Sequence, residues 1–236
     1  MGNSKITKKW SLVVIAAVLA STTVVPAKRI EIYSKNPAYW QYDGKPVLLL
    51  GGTVDDNLFQ IPALKEHLDL LKSVGGNYVR NTMSSRDEGN VWSFRKVNGK
   101  YDLEKWNNEY WKRFENFLRL TQQRDVIVQI EVWATFDYYR DIWDVNPFNP
   151  KNNVNYTAKQ TGLPIKVNTH PTRTDNNFFW SVPAERNQKI VLKYQQRFVD
   201  KMLSYSLDYD NVLYCMNNET STPVAWGRYA ARAWNS

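Results

Sequence analysis

A carboxylate and two amides stand directly after a short apolar run. Residues 212–216 read VLYCM, and Asn217, Asn218 and Glu219 precede the turn-forming run TSTP at residues 220–223. A buried strand ending in an Asn-Glu pair suits acid–base chemistry, because parallel barrels place active sites at the carboxyl ends of their strands. A plain strand-to-helix turn, with Asn218 and Glu219 in solvent, explains the same pattern. The rest of the sequence helps to decide between these two interpretations.

Charged residues also follow two earlier apolar runs. VLLL at residues 47–50 leads through two glycines to Asp55 and Asp56, and NYVRN at residues 77–81 carries Arg80 near its end. The glycines do not match a phosphate-binding loop, which needs a longer glycine pattern with a lysine. Arg80 can orient a carboxylate in a site or form a structural ion pair with a strand-end acid.

Helical segments separate these strands. Three stretches show apolar residues at helical spacing: 61–74, 103–123 and 187–207. A fourth helix begins near Val224, and a strand is predicted at 126–132. A hairpin with an Asp43-Gly44 turn comes first. The resulting β-α-β-α-β-α-β-α order predicts a parallel sheet with right-handed crossovers in a single domain.

The predicted third strand is followed by a connection of unusual length. Residues 133–186 are rich in Asn, Pro, Thr and aromatic side chains. Ordinary βα connections are short, so a loop of this length is usually functional. His170 lies within it in a Thr-His-Pro sequence, where we expect it to brace the loop or lie at the surface.

The first 27 residues have the pattern of a secretory signal peptide. Three lysines precede an apolar core at residues 12–20, and VPA at residues 25–27 forms a small-residue cleavage site. We expect residues 28–236 to be the mature domain, secreted or periplasmic, without stable membrane insertion after cleavage. An uncleaved anchor is the alternative, because residues 10–27 carry no charge and approach spanning length.

Composition argues against several other functions. The chain has 31 basic and 23 acidic residues, but the basic ones are scattered, whereas nucleic-acid binding concentrates them in a patch. We therefore predict no nucleic-acid partner. Cys215 is the only cysteine, so no disulfide can form within the chain. Metal-binding Cys and His spacings are absent, and neither a metal nor a cofactor is predicted.

Two of these stretches resemble clan-A glycoside hydrolases. GGNYVR at residues 75–80 resembles their second-strand signature, and Asn218-Glu219 resembles the Asn-Glu pair ending their fourth strand. NPAYWQYDGKP at residues 36–46 and YDNVLY at residues 209–214 are similar to secreted, cellulase-like bacterial members. The resemblance covers the mature chain. It implies a (β/α)8 TIM barrel, of which only the first four β/α units are present, after an N-terminal β-hairpin.

The resemblance implies a retaining glycoside hydrolase acting on a poly- or oligosaccharide. Glu219 would be the general acid/base, with a pKa raised by a barrel mouth lined with tryptophans. Asn218 would hydrogen-bond the sugar 2-hydroxyl, and Arg80 would hold the nucleophilic carboxylate. The clan's nucleophile is a Glu ending the seventh strand, which the four predicted strands do not include. Glu131, on the third strand, could face the barrel interior but matches no nucleophile motif.

Side chains of the long connection are candidates for binding the sugar. Pyranose rings present flat C–H faces that stack on aromatic rings, and we predict Trp133, Tyr138 and Trp143 as such platforms. A place in the core is the alternative for each. Asp137 and Asp56 could bind sugar hydroxyls, or they could be solvated loop residues.

We expect this chain to be the amino-terminal part of a longer enzyme. The alternatives are a non-catalytic carbohydrate-binding protein, an inactive truncated barrel and a membrane-anchored interaction module.

The missing nucleophile predicts little or no glycosidase turnover by the 236-residue chain, and an open strand edge predicts self-association. Release of reducing ends from polysaccharides measures the turnover. Robust activity of this chain alone would contradict the prediction.

Overall fold

The structure, a computed structural model, describes residues 29–173, 175–219 and 222–233. The predicted signal peptide lies outside these residues. The strands are β1 Glu31–Ile32, β2 Trp40–Tyr42, β3 Lys45–Val47, β4 Tyr78–Thr82, β5 Phe94–Val97, β6 Lys100–Trp106, β7 Ile127–Ala134 and β8 Val212–Asn218. The helices are α1 Leu64–Ser73, α2 Asn108–Gln122, α3 Arg140–Val145, α4 Ala158–Thr161, α5 Lys189–Ser206 and α6 Val224–Ala233.

A small antiparallel sheet precedes the main one. Its order is β1-β2-β3, and Asp43 and Gly44 turn the chain between β2 and β3 with φ angles of 53° and 70°. Two consecutive positive φ angles match the twist of a tight hairpin, for which Asp-Gly is a favoured sequence. The predicted hairpin is confirmed.

The main sheet is parallel, in the order β4-β7-β8. Gly51 extends it on the far side of β4 through a parallel bridge to Tyr78. The strand predicted at residues 47–50 needs correction, because Leu48 and Leu50 are 65% and 52% exposed instead of being covered on both faces. The Asn77 side chain supplies hydrogen bonds there that a neighbouring strand would otherwise provide. Its side chain accepts from the Leu50 N–H (2.8 Å) and donates to the Leu48 carbonyl (2.9 Å).

Helices α1, α2 and α5 follow the predicted segments, with one error. The second helix begins at Asn108 rather than 103, and the Asn107 side chain caps it by accepting from the Glu109 N–H. Residues 94–106 form the antiparallel hairpin β5–β6, which the sequence reading missed. The apolar faces of α2 and α5 meet through tilted or stacked ring pairs such as Trp111 with Phe198 and with Tyr205.

The described residues form an open α/β sheet, not a closed barrel. One face carries a row of polar side chains in register, since Arg80 pairs with Gln129 and Glu131 pairs with Cys215 across neighbouring strands. The Tyr78 hydroxyl donates to Gln129 (3.1 Å), and Gln129 donates to Glu131 (3.2 Å). Within the described part of the chain, no helix has the length and apolar character needed to cross a membrane.

Replacing Gly51 by alanine should destabilise the fold by about 1–3 kcal/mol, because the new Cβ would lie 1.8 Å from the Tyr78 carbonyl oxygen and force the strands apart. Urea unfolding followed by circular dichroism measures the loss. Gly52→Ala is the matched control, because its Cβ would meet nothing within 4 Å. Equal unfolding midpoints for the two variants would contradict the close contact between residue 51 and β4.

Candidate active site

A cleft of about 440 Å³ lies beyond the carboxyl ends of β7 and β8. In an open parallel sheet this edge is where ligands bind. The side chains that line the cleft come from the ends of three strands and from the start of the long connection: Asp56, Arg86, Phe136, Tyr139, Arg140, Asp141, Ile142, Asn218 and Glu219. Five of the nine are acidic or basic residues, and the cleft is therefore polar.

Glu219 and Asn218 reach this cleft from the end of β8. Asn218 is buried, and its N–H donates to the Asn217 side chain (2.9 Å), which also accepts from the Thr135 hydroxyl. Glu219 follows in the left-handed region with φ 44° and is exposed. A non-glycine residue rarely adopts this conformation, which here turns the chain sharply out of the strand. Both residues line the cleft, where Glu219 is exposed and Asn218 is buried.

A chain of alternating charges runs beneath the rim. Arg80 lies between Asp56 (Nη2–Oδ1, 2.6 Å) and Glu131 (Nε–Oε1, 3.5 Å). Arg86 contacts the second oxygen of Asp56 and lies 3.6 Å from Asp137. Two arginines thus join three carboxylates contributed by the loop before α1, by β7 and by the loop after β7. Asp56 is held in addition by its backbone carbonyl, which accepts from the N–H of residue 82 at 2.6 Å.

Burial and charge act in opposite directions on this network. Burial lowers the pKa of Arg80, but the carboxylates of Glu131, Asp56 and Glu219 outweigh it and raise that pKa overall. Burial raises the pKa of Glu131, whose side chain is only 5% exposed, and the Arg80 charge opposes the rise. The second oxygen of Glu131, Oε2, is buried without a hydrogen-bond partner among the described residues.

Asp137 does not lie in the cleft, which corrects its predicted role in binding sugar hydroxyls. It is buried, and its carboxylate accepts from the Ser84 hydroxyl (3.0 Å) and faces Arg86. Burial raises the pKa of Asp137 from 3.8 to about 6, against the Arg86 charge and the hydrogen bonds from Ser84 and Ser85. Its influence on the cleft therefore passes through Arg86. Asp56 does line the cleft, but both of its oxygens are already engaged.

The three predicted aromatic platforms are core residues, and that prediction also needs correction. Trp133 is 1% exposed and Trp143 0% exposed, and Tyr138 is buried with them. Trp133 packs against the rings of Phe178, Phe198 and Trp226, among others. A stacking platform needs a free ring face, and none of the three has one. The cleft is consequently not lined by tryptophans, and its aromatic members are Phe136 and Tyr139.

Sequence reasoning missed Arg86 and Arg140. Arg86 follows β4 by four residues, and a position after a strand end, which singled out Asp56, is the signal that could have found it. Arg140 begins α3 with φ 52°, and its N–H donates to the Val167 carbonyl (2.6 Å). His170 lies at the surface, with its ring edge against Phe136 and its Nδ1 3.0 Å from the Thr172 hydroxyl.

In the described part of the chain, the His, Cys, Asp and Glu side chains form no group of three or more that could hold a metal ion.

Solved structures of similar shape are glycoside hydrolases. A family 5 mannosidase from Rhizomucor miehei superposes with a TM-score of 0.55 at 13% identity, over 87% of this chain and 52% of that enzyme. An endo-1,4-beta-mannanase from the same organism gives 0.51 at 15% identity, over 82% and 54%. A candidate glycoside hydrolase from Bacteroides vulgatus gives 0.50 at 10%, over 90% and 37%. No family model and no curated protein sequence matches the chain.

These similarities show the fold. The chain spans about half of each Rhizomucor enzyme and about a third of the Bacteroides protein. Its open α/β sheet is accordingly consistent with part of a glycoside-hydrolase barrel.

Asp137→Asn should change the pH dependence of stability. A carboxyl whose folded pKa is raised contributes stability that is fully present below its unfolded pKa and is lost as pH rises through the folded value. The variant should therefore gain about 2–3 kcal/mol on the parent between pH 4 and pH 6, the window set by the shift from 3.8 to about 6.

Urea unfolding of both proteins across this pH range measures the difference. Asp141→Asn, which removes a carboxylate from the exposed rim of the cleft, is the control. A gap between Asp137→Asn and the parent that stays constant with pH would show that Asp137 is not a buried titrating group.

Proposed function

We propose that this chain carries the acid/base half of a clan-A glycoside-hydrolase site that acts on a poly- or oligosaccharide. The observation that carries the proposal is that Asn218 and Glu219 line the strand-end cleft together with Asp56, which pairs with Arg80. The shape shared with glycoside hydrolases supports it. Mannans and manno-oligosaccharides are the first substrates to test, because two of the similar structures are named a mannosidase and an endo-1,4-beta-mannanase.

Glu219 acts first as an acid and then as a base in this proposal. Its carboxyl gives a proton to the glycosidic oxygen as the bond to the leaving sugar breaks, and later takes a proton from the incoming water. Exposure at the rim allows this group to reach a ligand and to exchange protons with solvent. Asn218, the residue before it, would donate a hydrogen bond to the sugar hydroxyl next to the reacting carbon.

A retaining mechanism needs a second carboxylate as nucleophile, about 5–5.5 Å from the acid/base. Asp56 and Glu131 do not suit that role, because Arg80 holds both of them and Glu131 is buried. We assign the nucleophile to no described residue. Arg80 instead presents a guanidinium close to Glu219, where it would orient a carboxylate supplied from elsewhere.

Carbohydrate binding without turnover is the second candidate function. The same arginine-held carboxylates favour it, because Arg80 and Arg86 engage Asp56 and Arg80 engages Glu131. Such a cleft can bind hydroxyl groups without completing a double displacement. Secretion belongs to the proposal as well, on the signal-peptide pattern of residues 1–27. The first residue of the protein exported by its native host would test that part.

Glu219→Gln should separate the two functions even where turnover is low. An oligosaccharide ending in a protonated iminosugar mimics the charge of the transition state, and its ammonium pairs with the ionised acid/base. We expect the variant to bind this ligand at least about tenfold more weakly, because one charge-assisted hydrogen bond is lost. Affinity for the neutral oligosaccharide of the same length should stay the same, because glutamine keeps the shape of the side chain.

Isothermal titration calorimetry with β-1,4-linked manno- and gluco-oligosaccharides provides both affinities. Glu115→Gln is the matched control, because Glu115 is an exposed glutamate on α2 away from the cleft. If Glu219→Gln binds each ligand as tightly as the parent does, the binding function is favoured. Absence of binding to either ligand by the parent chain would refute both functions.

A further inference from the structure

One side of the cleft presents an exposed arginine. Residues 136–142 supply five of the lining side chains, and Arg140 is the basic residue among them. It is not part of the ion network that joins the buried carboxylates to their two arginines. Asp141 and Glu219 share the cleft with it, and within the described residues neither of them forms an ion pair with Arg140. The Arg140 guanidinium is therefore available to a ligand.

The position of Arg140 is fixed by a second segment of the long connection, residues 161–173. The Arg140 N–H donates to the carbonyl of residue 167 (2.6 Å), and its φ of 52° lies in the left-handed region that a non-glycine residue rarely adopts. In the same segment, the His170 ring lies edge-on to Phe136, with 5.3 Å between the ring centroids. These contacts hold the segment beside two residues that line the cleft.

That segment is basic. Residues 161–173 contain Lys166, His170 and Arg173 and no acidic residue. All three side chains are exposed. The Arg173 N–H donates to the His170 carbonyl (2.9 Å), which keeps these two residues together in one short turn. Charges of one sign beside a cleft raise the local concentration of ligands of the opposite sign. This side of the cleft therefore favours an anionic ligand.

A sugar acid combines the features that these side chains can recognise. Phe136 is half-buried and lines the cleft, where its ring can pack against the C–H face of a pyranose. The planar guanidinium of arginine can bind both oxygens of a carboxylate. A uronic acid carries its carboxylate directly on the sugar ring. We propose that the cleft binds a polysaccharide containing uronic acids, and that Arg140 holds the sugar carboxylate.

This inference rests on the proposed function and names the substrate class of the same site. Its test compares a uronic-acid oligosaccharide with the methyl ester of the same oligosaccharide by isothermal titration calorimetry at neutral pH. The two ligands differ in charge and have nearly the same shape. The unmodified chain should bind the acid at least about tenfold more tightly than the ester, because the ester cannot form the charge-assisted hydrogen bonds.

Arg140→Gln should bring the ratio of the two affinities close to one, because it removes the cation nearest to the sugar carboxylate. Arg95→Gln is the matched control, because Arg95 is an exposed arginine on β5 that does not line the cleft. Its affinity ratio should equal that of the unmodified chain. A ratio that stays unchanged in Arg140→Gln would overturn the role of Arg140.

Salt provides a second measurement, which decides should Arg140→Gln fail to fold. Exposed charges are screened beyond about 10 Å at 0.1 M salt and beyond about 3 Å at 1 M. The preference of the unmodified chain for the acid over the ester should therefore weaken between these two concentrations of sodium chloride. A preference that does not change with salt would overturn the proposal.

The outcomes separate this inference from the proposed function. Equal affinity of the unmodified chain for the acid and the ester would overturn the inference and leave the proposed function in place, because a saccharide still binds. Tighter binding of a sulfated oligosaccharide than of the uronic acid would overturn the assignment to a carboxylate. Absence of binding to acidic and neutral oligosaccharides alike would overturn both proposals.

Discussion

Arg80 carries a single positive charge between two carboxylates, and the arrangement of the cleft depends on that sharing. Glu131 is nearly inaccessible to solvent, and a buried carboxylate is costly unless a cation lies beside it. Asp56 belongs to a different segment, and its 2.6 Å contact fixes the loop before α1 against β4 and β7. Removing one member of such a group leaves an uncompensated charge, which costs more than the intact pair contributes. The network therefore specifies geometry more than it adds stability.

Arg86 extends the same constraint to the long connection. Its contacts with Asp56 and Asp137 tie the segment after β4 to the segment after β7, where α3 begins. The connection is then folded largely by amide side chains that stand in for backbone partners. Asn146 donates to the Asp137 carbonyl (2.8 Å), and Asn176 donates to the carbonyl of residue 138 (2.7 Å). Both asparagines are buried, and these hydrogen bonds satisfy backbone carbonyls between the short helices of the segment.

Helices with a clear apolar stripe could be predicted from the sequence, and side-chain roles in the long connection could not. The spacing of apolar residues placed α5 within two residues of its observed ends, because that spacing directly encodes the face that is buried. The start of α2 was misplaced because Leu103 and Trp106 fit a helical stripe and an antiparallel hairpin equally well. The prediction for Trp133 and Trp143 is wrong because an aromatic residue in a loop has the same sequence pattern whether its ring faces solvent or the core.

Only part of the ion network could be predicted from the sequence, for a similar reason. Arg80 was recognised as the possible partner of a strand-end acid, but its two contacts depend on the register between β4 and β7 and on the path of the loop before α1. Those are long-range properties: Arg80 is 24 residues from Asp56 in the chain and contacts it only after the sheet has formed. Arg86 and Asp137 are separated further, and no local pattern connects them.

Four carboxylates near the strand ends differ in environment, and that difference limits what each can do. Asp137 is buried with a raised pKa, Glu131 is buried beside Arg80, and Asp56 is held by two arginines. Glu219 is the exposed one of these four, on a left-handed turn that directs the chain away from the strand. A proton donor must reach its ligand, whereas a carboxylate that fixes an arginine must not move. The fold places one acid on an exposed turn and the other three in a fixed ionic network, which is the arrangement that the proposed acid/base role of Glu219 requires.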